Sequence, residues 1–414
     1  MPMKHFLLLC FAILCGCSCF AQSMADTWSG TLRTSSVNLT IVLHLQENGN
    51  AYTCTLDSPD QNAYGIAAEV LLCTADSLSV RLPGIGATYC GHREVDTLKG
   101  RFTQMGFPLP LDLQRGEQQT KRPQTPQPPY PYVCQEVTFR NTADDATLAG
   151  TLTFPQDYKS GDSVPFVLLV SGSGQQDRDE TLFQHKPFLV LADYFARHGI
   201  GSLRYDDRAT GASVGGDLQH ATTADFARDA AAGLDLLRRT GAASVIGVLG
   251  HSEGASIAFM LAAAGKADFV VSMAGIGVKG DTALTAQVNH LSALRGGNGS
   301  TTVGDYRRSV AALHQPWLDF FIDYDPTADL RATHCPVFAA NGDKDCQVIA
   351  SLNLPAIERA LPKNAANICR TYTGLNHLFQ PCTTGDVSEY GTIETTLSVD
   401  FLDDVADWIL RLAH

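Results

Sequence analysis

The pattern of apolar and polar residues divides the chain into three parts. Residues 26–115 contain short runs of branched apolar residues with partial alternation, such as 39–45 and 77–82, which are typical of half-buried strands. Between two such runs lies the sequence 47–50, Glu-Asn-Gly-Asn, which favours a hairpin turn. Because no long stretch here has a helical period, we predict a small all-β domain over residues 22–116, either a barrel or a sandwich.

A proline-rich segment at 117–132 separates the first part from the rest. Its composition favours an extended spacer without a core of its own. From residue 133 to the end, fully apolar strands alternate with amphipathic helices. Repeated βα units imply a mostly parallel sheet with helices on both faces, so residues 133–414 are predicted to form an α/β domain.

An insertion at 276–334 interrupts this alternation after a strand. Residues 281–294 and 306–321 have helical spacing, which predicts a helical cap over the active-site face. Aromatic residues in its second half, Trp317, Phe320 and Phe321, are candidates for lining a substrate pocket. The alternative is that these rings only pack the cap onto the domain below.

The sharpest chemical signal is Gly250-His251-Ser252-Glu253-Gly254, which fits the pattern G-x-S-x-G. The motif follows the apolar strand 245–249 and opens an alanine-rich helix, which is the context that a nucleophilic serine requires on a strand-to-helix turn. The helix N-terminus beneath Ser252 offers free N–H groups to a developing oxyanion. The sequence therefore predicts that Ser252 is a nucleophile.

A nucleophilic serine needs a base, and the base needs a carboxylate that orients it. On this topology both follow later strands, in the order Ser, Asp, His. One strand runs into a loop with Asp343 and Asp345, and the next strand runs into Asn376-His377. Because the ends of neighbouring strands meet, we expect His377 to contact one of these two aspartates.

At this point the sequence resembles the α/β-hydrolases, through the G-x-S-x-G motif, Gly342-x-x-Asp345-x-x-Val348 and Asn376-His377. In that family pattern the acid is the second aspartate, Asp345. The chain is more closely similar to exported two-domain bacterial esterases of the EstD type, which are S33-like, Hydrolase_4-like serine hydrolases. Three segments carry this resemblance: 171–180, 204–208 and 375–380. Ala209 departs from it, since such sequences often have glycine there.

The resemblance implies an α/β-hydrolase fold and an exported serine hydrolase that cleaves small-molecule carboxylic esters through an acyl-enzyme. In that mechanism Ser252 attacks, His377 carries the proton, Asp345 orients His377, and the backbone N–H groups of Ser173 and Glu253 form the oxyanion hole. No cofactor and no metal are expected. Two alternatives remain open: a serine peptidase or amidase of the same fold, and a non-catalytic surface-binding protein with a hydrolase-like body.

Three further motifs carry weaker signals. Residues 275–280 fit G-x-G-x-x-G but lack the acidic residue that a nucleotide site would place farther on, so they are interpreted as the entrance to the cap. The charged run 177–180 either lines the mouth of the site or is a solvated surface. The segment 206–208, Asp-Asp-Arg, either binds substrate or fixes its loop through an ion pair.

Composition excludes some classes of protein. Apolar residues make up 44% and charged residues 18% of the chain, which indicates a folded globular protein. The formal net charge of −13 argues against a general nucleic-acid binder and against docking on anionic lipid.

The N-terminus predicts export. Residues 1–21 combine Lys4, an apolar run and small residues before Gln22, which is typical of a signal peptide and too short for a transmembrane span. The alternative is that Leu14-Cys15-Gly16-Cys17 is a lipobox, with a lipid anchor on Cys17. Both interpretations place the mature chain in the periplasm or outside the cell.

Cysteine usage adds one expectation. Eight cysteines follow residue 21, and an exported compartment permits disulfides. Cys346 follows the proposed acid and Cys382 lies five residues after the proposed base, so the loops that carry them must lie close together. We predict a Cys346–Cys382 disulfide, with free or otherwise paired thiols as the alternative.

Overall fold

The computed structural model describes residues 23–34, 37–49, 51–61, 63–116 and 121–413. The proposed signal peptide at 1–21, with its alternative lipidation site at Cys17, lies outside these residues. The described chain divides into two compact units. Most of residues 23–116 belong to the first unit, and residues 121–413 belong to the second. In the described ranges, no helix has the length and apolar character needed to cross a membrane.

The first unit is an antiparallel β-barrel. Its described strands are β1 Asp26–Arg33, β2 Asn38–Asn48, β3 Ala51–Ser58, β4 Ala63–Cys73, β5 Ser77–Leu82, β6 Ala87–Glu94, β7 Thr97–Gln104, β8 Phe107–Pro110 and β9 Leu113–Arg115. They follow the order β6-β5-β4-β3-β2-β1-β9-β7-β8, and β6 also pairs with β7, which closes the barrel. The all-β prediction is confirmed, and closure selects the barrel over the sandwich. Asn48 pairs with Ala51, so the predicted hairpin turn is confirmed as well.

The second unit is built on one mixed sheet. Its strands are β10 Cys134–Asn141, β11 Ala146–Thr153, β12 Val164–Val170, β13 Gly201–Tyr205, β14 Val214–Gly215, β15 Ala243–His251, β16 Phe269–Met273, β17 Val337–Gly342 and β18 Ile368–Tyr372. The main path runs β10-β11-β13-β12-β15-β16-β17-β18. From β13 through to β18 neighbouring strands are parallel, whereas β10 and β11 are antiparallel to their neighbours.

Helices cover both faces of this sheet, as the repeated βα units predict. They are α1 Pro187–Arg197, α2 Thr223–Thr240, α3 Glu253–Ala263, α4 Gly280–Leu294, α5 Val303–Val310, α6 Pro316–Asp323, α7 Thr327–Ala332, α8 Ala350–Ala360 and α9 Val399–Leu412. Successive residues of β12 point to opposite faces: Phe166 and Leu168 pack in one core, and Val167 and Leu169 pack in the other. Burial on both faces explains why these strands are apolar throughout.

The cap comprises α4 to α7 and differs from the sequence prediction in one place. A single helix was expected over 306–321, but α5 ends at Val310 and α6 begins at Pro316. The break has a clear physical cause, because proline cannot continue a helix but suits its first turn. His314, two residues earlier, adopts a left-handed φ of 47°.

The described part of the proline-rich segment is attached to its surroundings by side-chain hydrogen bonds. The Arg122 guanidinium donates hydrogen bonds to the backbone carbonyls of Phe183, Gly391 and Ile393 at 2.8 to 3.0 Å. The Gln124 side chain bonds backbone groups of residues 396 and 397. Polar side chains between the prolines therefore attach this segment to loops of the second unit.

Candidate active site

Ser252 lies at a strained turn between β15 and α3. Its φ of 54° and ψ of −115° lie outside the regions that a residue with a side chain prefers, at a cost of about 1–3 kcal/mol. Two glycines make the turn possible: a Cβ on Gly250 would lie 2.0 Å from the Gly254 carbonyl oxygen, and one on Gly254 would lie 2.1 Å from that of Val170. This close packing explains the spacing of the G-x-S-x-G motif.

His377 and Asp345 meet at the ends of β17 and β18. The His377 Nδ1 atom lies 2.8 Å from Asp345 Oδ2, and both side chains are buried. The other oxygen, Asp345 Oδ1, accepts hydrogen bonds from the backbone N–H groups of Gln347 and Val348, each at 2.8 Å. A carboxylate fixed in this way holds the imidazole in one orientation.

Asp343, the other aspartate of this loop, has a different environment. Its side chain is exposed, and Oδ1 accepts a hydrogen bond from the backbone N–H of Gly374 at 2.6 Å. It therefore joins the two loops without contacting His377. The structure brings Asp345, and not Asp343, to the histidine.

The loop that carries His377 is ordered by its neighbour Asn376. The buried Asn376 side chain accepts hydrogen bonds from the N–H groups of Leu378 and Gln380, each at 3.0 Å, and donates to the Gln380 side chain at 2.9 Å. This local network explains why Asn and Gln flank the histidine in the sequence.

The segment predicted to form an oxyanion hole lies beside Ser252. A Cβ built on Gly172 would lie 3.2 Å from the Ser252 Cβ, so the loop after β12 contacts the serine directly. Ser173 and Glu253 line the same cavity as Ser252. The N–H of Glu253 belongs to the first turn of α3, where N–H groups have no partner within the helix.

The Glu253 side chain links the cap to the serine turn, a contact that the sequence reasoning missed. Its Oε1 atom accepts hydrogen bonds from Thr223 Oγ1 at 2.6 Å and from Trp317 Nε1 at 2.7 Å. Burial raises the pKa of the Glu253 carboxyl, although these hydrogen bonds oppose the shift. Trp317 belongs to α6, so one hydrogen bond attaches the cap to the residue after Ser252.

A cavity of about 380 Å³ lies over these groups. Most of its wall surface is apolar or aromatic, although nine of the described lining side chains are polar or charged. The lining includes Gly172, Ser173, Gln176, Glu180, Leu182, Phe183, His251, Ser252, Glu253, Leu284, Gln287, Trp317, Phe321, Gln347, Val348, His377, Leu378 and Tyr390. Ser252 and His377 therefore open onto one cavity.

Of the three aromatic residues expected to line the pocket, two do so. Trp317 and Phe321 are four residues apart on one face of α6, and their rings stack with centroids 5.4 Å apart. Phe320 corrects the expectation: it is not among the lining residues, and its ring stacks on Tyr324 instead. Adjacent helical residues point about 100° apart, so Phe320 and Phe321 cannot share one face.

The charged residues of the segment 206–208 have different environments. Asp206 pairs with Arg178 at 2.8 Å and Arg208 pairs with Asp229 at 2.7 Å, which favours the loop-fixing interpretation. Asp207 between them forms no ion pair with a described residue; its carboxylate accepts hydrogen bonds from the Gln176 N–H and the Ser171 hydroxyl. Burial, together with the charges of Glu253 and Glu180, raises the pKa of Asp207 to about 8.

The buried Asp207 predicts a pH-dependent stability. Between about pH 4 and pH 8 its carboxyl is protonated in the native state and ionised in the unfolded state. The native state thus binds more protons, so this group's contribution makes the free energy of unfolding fall as the pH rises. The free energy of unfolding at pH 5 minus that at pH 8 should therefore be smaller in Asp207→Asn than in the wild type, by up to about 4 kcal/mol.

Denaturant unfolding at the two pH values measures this effect. The exposed Asp157 offers a matched control, because Asp157→Asn should leave the difference unchanged. An Asp207→Asn protein with the same pH dependence as the wild type would show that Asp207 is not the buried acid responsible.

The predicted disulfide is absent, and both cysteines are free thiols in the structure. Cys346 is buried and its sulfur contacts the Tyr390 hydroxyl, whereas Cys382 Sγ donates to the Gly374 carbonyl at 3.4 Å. The two sulfurs therefore have separate partners, although the loops that carry them are in contact. Hydrogen bonds between the loops, such as Lys344 N–H to the Leu375 carbonyl at 3.0 Å, hold them together without a covalent bond.

The strand order of the second unit and the serine turn after β15 define an α/β-hydrolase fold. In agreement, residues 186–292 match the Hydrolase_4 family, described as "Serine aminopeptidase, S33". This match contains Ser252. The chain is also similar to Esterase EstD of Thermotoga maritima, with 36% identity over 128 residues. These matches confirm the resemblance found in the sequence.

The similarity to EstD covers 31% of this chain and 30% of EstD, so the chain matches less than a third of its relative. Solved structures that the comparison matches to this chain include the Pyrococcus furiosus esterase Pf2001, with 14% identity over 72% of this chain and 98% of that one, at a TM-score of 0.46. Est1E from Butyrivibrio proteoclasticus has 12% identity over 67% of this chain and 98% of its own, at a TM-score of 0.45.

Proposed function

We propose that this protein is an exported serine hydrolase that cleaves carboxylic esters through an acyl-enzyme on Ser252. One observation carries the proposal: Ser252 and His377 line the same cavity, and His377 Nδ1 lies 2.8 Å from the buried carboxylate of Asp345. A serine, a histidine and a carboxylate in this relation form the arrangement that activates a serine nucleophile. The name of the relative EstD supports the ester class, and the pattern of residues 1–21 supports export.

The reaction follows from the groups present. His377 takes the proton from the Ser252 hydroxyl as the serine oxygen forms a bond to the ester carbonyl carbon. The backbone N–H groups of Ser173 and Glu253 stabilise the negative charge on the carbonyl oxygen. His377 then returns the proton to the leaving alcohol as the carbon–oxygen bond breaks. Water repeats the sequence on the acyl-enzyme and releases the acid.

The lining of the cavity favours neutral substrates. Among the described lining residues there is no lysine or arginine, whereas two glutamates, Glu180 and Glu253, are present. An ester that carries a carboxylate or phosphate would find no lysine or arginine among these lining residues, and the His251 ring is already paired with Glu180. Its apolar walls and its volume of about 380 Å³ suit an uncharged ester of modest size.

An aminopeptidase-like activity is the second candidate, because the matched family is described as a serine aminopeptidase. Such an activity needs a free carboxylate for the substrate's ammonium group. Both carboxylates at the cavity are buried, and one oxygen of each already has partners: Glu253 Oε1 binds Thr223 and Trp317, and Glu180 Oε1 contacts His251, whereas Glu180 Oε2 is buried without a partner among the described residues. This assignment of partners favours the ester.

Comparison of a p-nitrophenyl acyl ester with an aminoacyl p-nitroanilide tests this choice. We expect kcat/KM for the neutral ester to exceed that for the amide by at least roughly 10²-fold. A p-nitrophenyl ester with a terminal carboxylate on its acyl chain should also react more slowly than the neutral one. Faster cleavage of the aminoacyl anilide would replace the esterase proposal with the peptidase.

A further inference from the structure

Two buried residues outside the proposed triad connect its parts. Glu180 and His251 are only 1% and 2% exposed, and both touch the cavity. Glu180 Oε1 accepts a hydrogen bond from the backbone N–H of Gly172 at 2.8 Å and lies 2.8 Å from His251 Nδ1. On its other side, His251 Nε2 lies 3.1 Å from the backbone carbonyl oxygen of His377.

These contacts form one continuous path through the site. Gly172 belongs to the proposed oxyanion loop, His251 immediately precedes Ser252, and His377 is the proposed base. The path therefore ties the loops after β12 and β18 to the last residue of β15. The backbone of Glu180 is left-handed, with a φ of 52°. This conformation is unfavourable for a residue with a side chain and persists only where the surrounding contacts fix it.

The partners of His251 specify its protonation state. A neutral imidazole has one N–H donor and one acceptor nitrogen. Here both nitrogens face acceptors, namely the Glu180 carboxylate and the His377 carbonyl, and neither acceptor offers a proton when Glu180 is ionised. Only an imidazolium, with an N–H on both nitrogens, donates to both.

We propose that Glu180 and His251 form a buried carboxylate–imidazolium pair that positions the oxyanion loop and the His377 loop around Ser252. Both are positioning residues, because they act through the groups they hold. The proposal rests on the proposed function for its effect on catalysis, whereas the charge state of His251 is independent of that function.

The electrostatic surroundings agree with this assignment. Burial alone lowers the pKa of His251, but the charge of Glu180 and the hydrogen bonds to Glu180 and to the His377 carbonyl outweigh burial and raise it. Asp345, from the loop after β17, also favours the cation. The rings of His251 and His377 lie close together, with centroids 4.8 Å apart.

This proximity predicts an effect on the pH profile. The hydrolysis rate falls in acid as His377 takes up a proton and can no longer accept one from Ser252. Loss of the His251 cation, whose ring lies next to that of His377, leaves the carboxylates of Asp345 and Glu180 without this counter-charge beside the base. Removal of the cation should therefore move the acid limb to higher pH.

The test combines NMR spectroscopy with kinetics on the full chain. With ¹⁵N-labelled histidine, the pair of ring-nitrogen signals that disappears in His251→Gln belongs to His251. We expect these signals to show two protonated nitrogens at pH 7 in the wild type. A neutral imidazole signature at pH 7 would overturn the proposal whether or not the protein hydrolyses esters.

For kinetics, Glu180→Gln keeps the size of the side chain and an acceptor for the Gly172 N–H but removes the charge. We expect kcat to fall by about 10- to 100-fold in Glu180→Gln and in His251→Gln, with KM changed by less than about threefold. The acid limb should move up by about 0.5 to 1 pH unit. The kcat of the double variant should be only slightly lower than that of the less active single variant, because the pair acts as a unit.

His44→Gln is a matched control, since His44 in the barrel pairs with Asp57 at the same distance of 2.8 Å. It should leave kcat and the acid limb unchanged. Near-UV circular dichroism establishes whether each variant is folded. If His251→Gln is not folded, the kinetics of Glu180→Gln alone decide the test. A lower kcat with an unmoved acid limb, or wild-type kinetics in a folded variant, would overturn the positioning role.

Discussion

Replacement of Ser252 by alanine should lower kcat for ester hydrolysis by up to about 10⁶-fold. In the proposed mechanism the hydroxyl oxygen is the one protein atom that bonds to the carbonyl carbon, and no other group can take its place at this turn. The fold should survive, because the side chain is small and the strained backbone is held by close contacts at Gly250 and Gly254. Substrate binding should change little.

Ser256 provides the control for this variant. It lies in the first turn of α3, the helix that begins directly after Ser252, and its buried hydroxyl has no hydrogen-bond partner among the described residues. Ser256→Ala should therefore keep wild-type activity within about twofold. If Ser252→Ala kept more than a tenth of the wild-type rate, another residue would be the nucleophile.

The second large effect concerns the acid. Asp345→Asn should lower kcat by about 10⁴-fold, because an amide in place of the carboxylate no longer selects the His377 tautomer that accepts the serine proton. Asp343→Asn tests the neighbouring carboxylate on the same loop, which is exposed and, among the described residues, accepts a hydrogen bond from the Gly374 N–H. We expect it to lower kcat by less than about fivefold. The reverse ranking of the two variants would assign the acid to Asp343.

Much of the fold could be predicted from the sequence because local patterns and the final environment agree. The strands β12, β15 and β16 are apolar on both faces, and the structure buries both faces. The serine turn was predictable because its two glycines meet a steric requirement that few other residues satisfy. The choice between barrel and sandwich depends on whether the first strand, β1, pairs with the last, β9, a long-range contact that leaves no local pattern.

The parts that the sequence did not predict depend on tertiary contacts. The charged run 177–180 gives no sign that Glu180 is buried against His251, since charge runs are mostly solvated. The contact between Glu253 and Trp317 joins residues 64 positions apart. In the cap, Pro316 was a readable signal for a helix boundary, and it outweighs the helical spacing on either side of it.

The cysteine prediction was wrong for a related reason. Contact between two loops is necessary for a disulfide, but the direction of each side chain decides whether the sulfurs meet. Cys346 points to Tyr390 and Cys382 points to the Gly374 carbonyl. Sequence positions alone do not define these directions.

The most direct test of a nucleophilic Ser252 is labelling with a fluorophosphonate, whose phosphorus bonds to the activated serine oxygen as fluoride leaves. Peptide mapping by mass spectrometry locates the label. The account predicts one labelled peptide, modified at Ser252, and no label in Ser252→Ala. A folded protein that stays unlabelled while a known serine hydrolase in the same sample reacts, or one labelled at a different serine, would contradict it.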